Sequence, residues 1–169
     1  MKGYEQWLIQ YMGGSAHLII PVYQRNYDWK IEQCRQLYDD LVSVARKGLN
    51  SHFFGSVVSV SDPGGQMMDY LIIDGQQRLT TVSLLMLAIH RLLEEGTVQA
   101  EQKNLASLLL KKYLIDEFEN DSQKIKLKPI KDDQRAFISL FDTDAEQIVE
   151  SNLTINYRYF RDRIQRQEI

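Results

Sequence analysis

Asp74-Gly75-Gln76-Gln77-Arg78 follows the apolar run Tyr70-Leu71-Ile72-Ile73 and opens a long apolar stretch. A strand that turns through a glycine straight into a helix presents unpaired backbone N–H groups and partial positive charge at the helix start. An anion is favoured there, and a neighbouring arginine can grip a phosphate through two parallel hydrogen bonds. Gly75 permits the turn and the close approach of a ligand. Arg78 would neutralise phosphate charge, while Asp74 would hold Mg²⁺ through water or orient an attacking water. Gln76 and Gln77 offer donors and acceptors, and Thr80 and Thr81 add hydroxyls. The same residues also suit a plain helix start, with Asp74 as its cap and Arg78 paired to a surface carboxylate. The local pattern alone does not separate the two.

A second cluster, Ile20-Pro21-Val22-Tyr23-Gln24-Arg25-Asn26-Tyr27-Asp28-Trp29, gathers an arginine, amides and aromatics within one short segment. Aromatic faces stack on bases and arginine binds phosphate. A loop pinned by a buried Tyr–Trp pair, with Arg25 in a structural salt bridge, is the competing explanation. Lys124, Lys126 and Lys128 alternate on one face of an expected strand. They would track a phosphate backbone or simply protect a sheet edge. Arg158, Arg161, Arg163 and Arg166 line the last helix, suited to DNA, to a neighbouring domain or to solvent. His17, His52 and His90 fall into no metal-ligand spacing, and no Ser-His-Asp arrangement or Walker-type lysine loop is present.

The elements that must position these residues follow from periodicity. Helices are expected over 4–12, 30–47, 76–95, 98–115 and 132–141, and from Ser151 or Asn152 onward. Asp132 or Asp133 would cap the fifth. Strands are expected over 17–22, 53–60, 69–73 and 124–128, the middle two joined through a turn at Asp62-Pro63-Gly64-Gly65. Helix 76–95 is apolar almost all round, so it should lie centrally. The fold class is therefore α/β (α+β), with few strands and several helices.

The chain has 169 residues, a net charge of −3 and 25% charged residues. That is the size of one domain, taken as residues 1–169, and it excludes polyanion binding through bulk charge. Cys34 is the only cysteine, so no internal disulfide forms, and its apolar helix face predicts an inert buried thiol. No apolar run is long enough to span a bilayer and no secretory leader is seen, which together point to the cytoplasm.

Four stretches together resemble a known family: Ile20–Trp29; Phe53-Phe54-Gly55-Ser56-Val57-Val58; Ile72–Thr81; and Ser151-Asn152-Leu153-Thr154-Ile155-Asn156-Tyr157-Arg158-Tyr159-Phe160. They are similar to the N-terminal ParB/sulfiredoxin-like domain of GmrSD-type modification-dependent restriction endonucleases. The resemblance implies a small mixed sheet surrounded by helices, and nucleoside triphosphate binding and hydrolysis with Mg²⁺ at the D-G-Q-Q-R turn. It implies that this step regulates DNA cleavage by a separate HNH-type nuclease domain or subunit. Carried over by position, Asp74, Gln77 and Arg78 are the catalytic candidates. Gly75, Gln76, Thr80, Thr81, Tyr23, Gln24, Arg25 and Tyr27 are the nucleotide-binding ones, with Tyr27 or Trp29 stacking on the base. Sulfiredoxins carry a catalytic cysteine in the matching turn; Gln76 and Gln77 stand there, which excludes that reductase chemistry. Family members are usually longer, so a fragment or a stand-alone regulatory subunit, able to form oligomers, is expected. Two rivals remain: a non-catalytic DNA-binding or scaffolding module using the lysines, and a ParB-like pocket that itself cuts DNA.

Overall fold

A strand of two residues organises the sheet. β1 (Leu18–Ile19) lies between two parallel partners, β3 (Tyr70–Asp74) and β4 (Leu127–Lys128), with Leu18 opposite Tyr70 and Leu127. β2 (Val58–Ser61) pairs antiparallel with β3, giving the order β2-β3-β1-β4. β1 stops at once because Ile20 makes the last ladder bond, to Lys128 O, before Pro21, which has no N–H to donate. The structure is a computed structural model that describes residues 5–62, 69–121, 123–143 and 148–167. The expected hairpin 53–73 is present, closed by Asp62 N–H to Asp69 O. The rest of its turn, residues 63–65, lies outside the described residues.

Helices α1 (Leu8–Met12), α2 (Ile31–Arg46), α3 (Gln76–Glu94), α4 (Leu105–Leu108), α5 (Lys131–Phe141) and α6 (Asn152–Gln167) accompany the sheet. α4 runs on as a π-helical segment, Leu109–Leu114. α3 is the centre: Leu79, Leu84, Leu87, Ala88 and Leu92 are fully buried, and α4, the π segment and α6 pack against it. Its 19 residues match the apolar circumference seen in the sequence. Among the described residues, no helix is long and apolar enough to cross a membrane.

Several boundaries differ from expectation for identifiable reasons. The helix expected from 98 starts at Leu105 because residues 97 and 98 finish α3. Thr97 and Val98 donate to Leu92 O, and Val98 is buried there. The strand expected from 53 starts at Val58 because Gly55 adopts φ +107, which breaks extended backbone. Neither Asp132 nor Asp133 caps α5; its cap position is Ile130, with no side-chain bond. Ser151 does cap α6, its Oγ accepting from Leu153 and Thr154 N–H.

The expected lysine face does not form. Lys126 is 6% exposed. Its ammonium donates to the carbonyls of Met12, Gly14 and Lys112, where α1 and the π segment end, and burial pushes its pKa down. Lys128 turns back to Gln123 O at 2.7 Å. Two of the α6 arginines are also fasteners. Arg161 makes a two-pronged pair with Glu95 at the end of α3, at 2.9 and 2.6 Å. Arg163 reaches Asp39 on α2 at 2.8 Å and lies over the Tyr38 ring. Replacing Lys126 with Met leaves buried carbonyls without their donor and should lower stability by about 1–3 kcal/mol in urea unfolding. Any DNA affinity of the chain should keep the same salt dependence.

Candidate functional site

β3 delivers its last residue, Asp74, opposite Val58 of β2. Asp74 Oδ1 accepts the Gly75 N–H at 2.9 Å, so its carboxylate folds onto the turn. Gly75 takes φ +94, and a Cβ there would sit 3.0 Å from Ser56 O and from Val57 Cγ2. Conformation and contact both require glycine. α3 then begins with no side-chain cap and no acidic residue in its first turn. Its leading N–H groups have no intrahelical acceptor, and Arg78 adds a formal positive charge to the same turn. The Arg78 guanidinium donates to Ser56 O at 3.2 Å and lies across Gly55, whose added Cβ would meet Arg78 Nε at 2.8 Å.

The two glutamines point away from the Ser56 side of the turn, toward residues 25–29. Gln77 Oε1 accepts from Asp28 N–H at 3.1 Å and from Trp29 N–H at 3.4 Å. Its Nε2 donates to Asn26 O at 3.1 Å. Gln76 Nε2 donates to Arg25 O at 3.2 Å. The Asp133 carboxylate accepts the Tyr27 N–H at 2.6 Å, and burial raises its pKa. From α6, Asn152 reaches Tyr27 O at 3.4 Å and Asn156 reaches Trp29 O at 2.8 Å. The two sequence motifs are thus brought together, joined through the side-chain amides themselves.

The remaining candidates divide by exposure. Arg25 is exposed and pairs with Asp28 at 3.3 Å. Tyr23 is 71% exposed. Gln24 Nε2 ties this stretch to Ile73 O at 2.9 Å. Tyr27, by contrast, is 6% exposed and offers no ring face to a base. Its hydroxyl meets Thr81 Oγ1 at 2.8 Å and Cys34 Sγ at 4.0 Å. Burial raises the Tyr27 pKa and pushes the Cys34 thiol up to about 11, the inert thiol its helix face predicts. Thr80 and Thr81 are buried and donate to Gln76 O and Gln77 O of their own helix. Asp74, Arg25 and Tyr23 are therefore exposed and Arg78 partly so, which makes these four the candidates for an accessible rim, whereas Gln76, Gln77, Tyr27, Thr80 and Thr81 are buried.

A cavity of about 10 Å³ lies between Arg25, Tyr27, Gln76, Gln77, Thr80 and Asp133. It has room for about one water molecule, so a larger ligand does not fit inside it. A cavity of about 510 Å³ lies elsewhere, between the Gly13–Ser15 turn, the π segment and Asp116–Phe118. It contains no residue of either motif, and its buried lysine is already held by three carbonyls, so volume alone does not make it the site. Among the described residues, no group of three or more His, Cys, Asp or Glu could hold a metal ion. Sequence reasoning made Asp133 and Asn152 candidate helix caps and assigned Asn156 no role of its own; it placed none of the three against residues 27–29. The legible signal for the last two was a pair of asparagines one turn apart beside buried Leu153 and Phe160. Gln77→Ala strands two part-buried N–H groups and one carbonyl, and should destabilise the protein by about 1–3 kcal/mol. An unchanged urea midpoint would show that the loop does not rely on this amide.

The family described as GmrSD restriction endonuclease, N-terminal domain, matches residues 7–168. No curated protein matches the chain. The match covers the sheet, α3 with its glycine turn, the 25–29 loop and α6, so the chain belongs to the family of N-terminal domains of GmrSD restriction endonucleases and is part of a DNA-acting restriction system.

Proposed function

We propose that the start of α3 seats the phosphates of a nucleoside triphosphate, and that binding and hydrolysis there regulate DNA cleavage by a separate HNH-type nuclease domain or subunit. One observation carries this proposal. A long buried helix begins after a left-handed glycine without a cap and without a first-turn carboxylate, and it carries an arginine instead. A helix start holds roughly half a positive charge. Arg78 adds to it, and Arg25 stands exposed on the neighbouring loop. An arrangement that accumulates positive charge where helices normally place Asp or Glu is complementary to an anion.

The rim residues supply distinct functions. Backbone N–H groups after Gly75 and the Arg78 guanidinium hold phosphate oxygens. Arg25 can exchange its exposed Asp28 partner for a phosphate at little cost, since such surface pairs contribute little. Tyr23 presents a ring on which a base can stack. Asp74 keeps one carboxylate oxygen beyond the bond to Gly75 N–H, enough for Mg²⁺ held by a single carboxylate together with substrate phosphates and waters. When bound, the metal neutralises charge that develops on the phosphates. Gln77 acts here by fixing the loop that carries Arg25, not by touching the reacting atoms.

Calorimetric titration with each of the four Mg²⁺-nucleoside triphosphates, followed by turnover measurements, tests the proposal. Arg78→Ala should weaken binding by roughly tenfold or more, the weight of one charge-assisted hydrogen bond. Equal affinity and equal turnover in both proteins would remove the seat from the start of α3.

A further inference from the structure

α6 reaches the loop through a hydrogen-bond chain whose direction can be deduced. Asn156 is 1% exposed. One of its amide hydrogens goes to Trp29 O and the other to Tyr27 Oη, each at 2.8 Å. Thr81 Oγ1 gives its single proton to Gln77 O at 2.7 Å. At 2.8 Å from Tyr27 Oη it can therefore only accept. Tyr27 thus donates to Thr81 and receives from Asn156. The chain runs from α6 through the loop to a carbonyl in the first turn of α3, beside Arg78.

Asn156 is held there at a cost. Its Oδ1 is buried and meets no protein donor, and an unpaired buried acceptor is unfavourable. A leucine, with the same branched shape, would avoid that cost and suit the surrounding core of Leu153 and Phe160, both fully buried. It would also leave Trp29 O and Tyr27 Oη without their donor. What the amide supplies beyond an apolar side chain is the placement of the loop.

We propose that Asn156 is a positioning residue for the α3 seat: it locks the 25–29 loop over the first turn of α3 and couples α6 to the rim that carries Arg25 and Arg78. The seat's occupant rests on the nucleotide proposal above, whereas the coupling does not require it.

The test is hydrogen exchange on the full chain, comparing wild type with Asn156→Leu, Tyr27→Phe and the double variant. In Asn156→Leu the amides of Tyr27, Asp28 and Trp29 should exchange roughly tenfold faster, the weight of one hydrogen bond, while those in the middle of α3 keep their protection. Tyr27→Phe should loosen the same amides, and the double variant should add less than the sum, because one chain is cut twice. Affinity for Mg²⁺-ATP should fall in the same order. Unchanged loop exchange, or a rise spread evenly through the molecule, would overturn the proposal. If wild type binds none of the four Mg²⁺-nucleotides yet the loop alone loosens, the nucleotide proposal falls and the positioning role of Asn156 stands.

Discussion

Residues 25–29 belong to no helix or strand, yet they are tied to the start of α3 and sink Tyr27 into the core. Their peptide groups need partners that no ladder provides, because a buried unpaired N–H or carbonyl is costly. The fold supplies them from side chains: Gln76 and Gln77 from α3, Asp133 from α5, Asn152 and Asn156 from α6. Glutamine and asparagine suit this work because one amide both donates and accepts, and so imitates a strand neighbour. The Gln77 side chain does so in full, accepting from two peptide groups and donating to a third. Remove that substitution of side chain for strand and Arg25 has no fixed place.

With the loop fixed, charge is arranged around one helix end. α3 is buried along its length and carries its own peptide dipoles toward a start that nothing caps. Arg78 is steered sideways by Ser56 O and by the absence of a Cβ at Gly55. Asp74 satisfies the one N–H nearest its own backbone and leaves the next ones alone. The glycine at 75 serves two ends. It makes the corner, and it lets the Ser56–Val57 backbone close against it, so the corner is held by packing as well as by its torsion.

The sequence disclosed those parts of the fold that rest on local pattern. The all-round apolar character of 76–95 gave α3 and its central place, and Ser151 gave the start of α6. Paired strands about the turn near residue 62 gave the antiparallel hairpin. Hidden from it was everything decided by distant partners. Lys126 looks like one tooth of an exposed comb, and only the folded chain brings it to the carbonyls of Met12 and Gly14. Tyr27 and the threonines carry groups suited to a ligand, but Tyr27 is taken up by Asn156 of α6 and the threonines by carbonyls of their own helix. Asp133 reads as a cap because its neighbours are helical, and it serves a peptide 106 positions away in the chain. The amide motif itself was visible, while its target, backbone rather than ligand, was not.

The distance in sequence between the loop and its fasteners has a consequence for biosynthesis. Tyr27 is joined to Asn156 across 129 positions, and β1 waits for β4 from beyond residue 126 before its second edge is covered. A ribosome adds about 5–20 residues each second, so the nascent chain carries Arg25 and Arg78 for several seconds before α6 emerges to tie the loop down. During that interval Arg25 and Arg78 lack the spacing that the loop's fasteners impose, and they gain it only once α6 has been made.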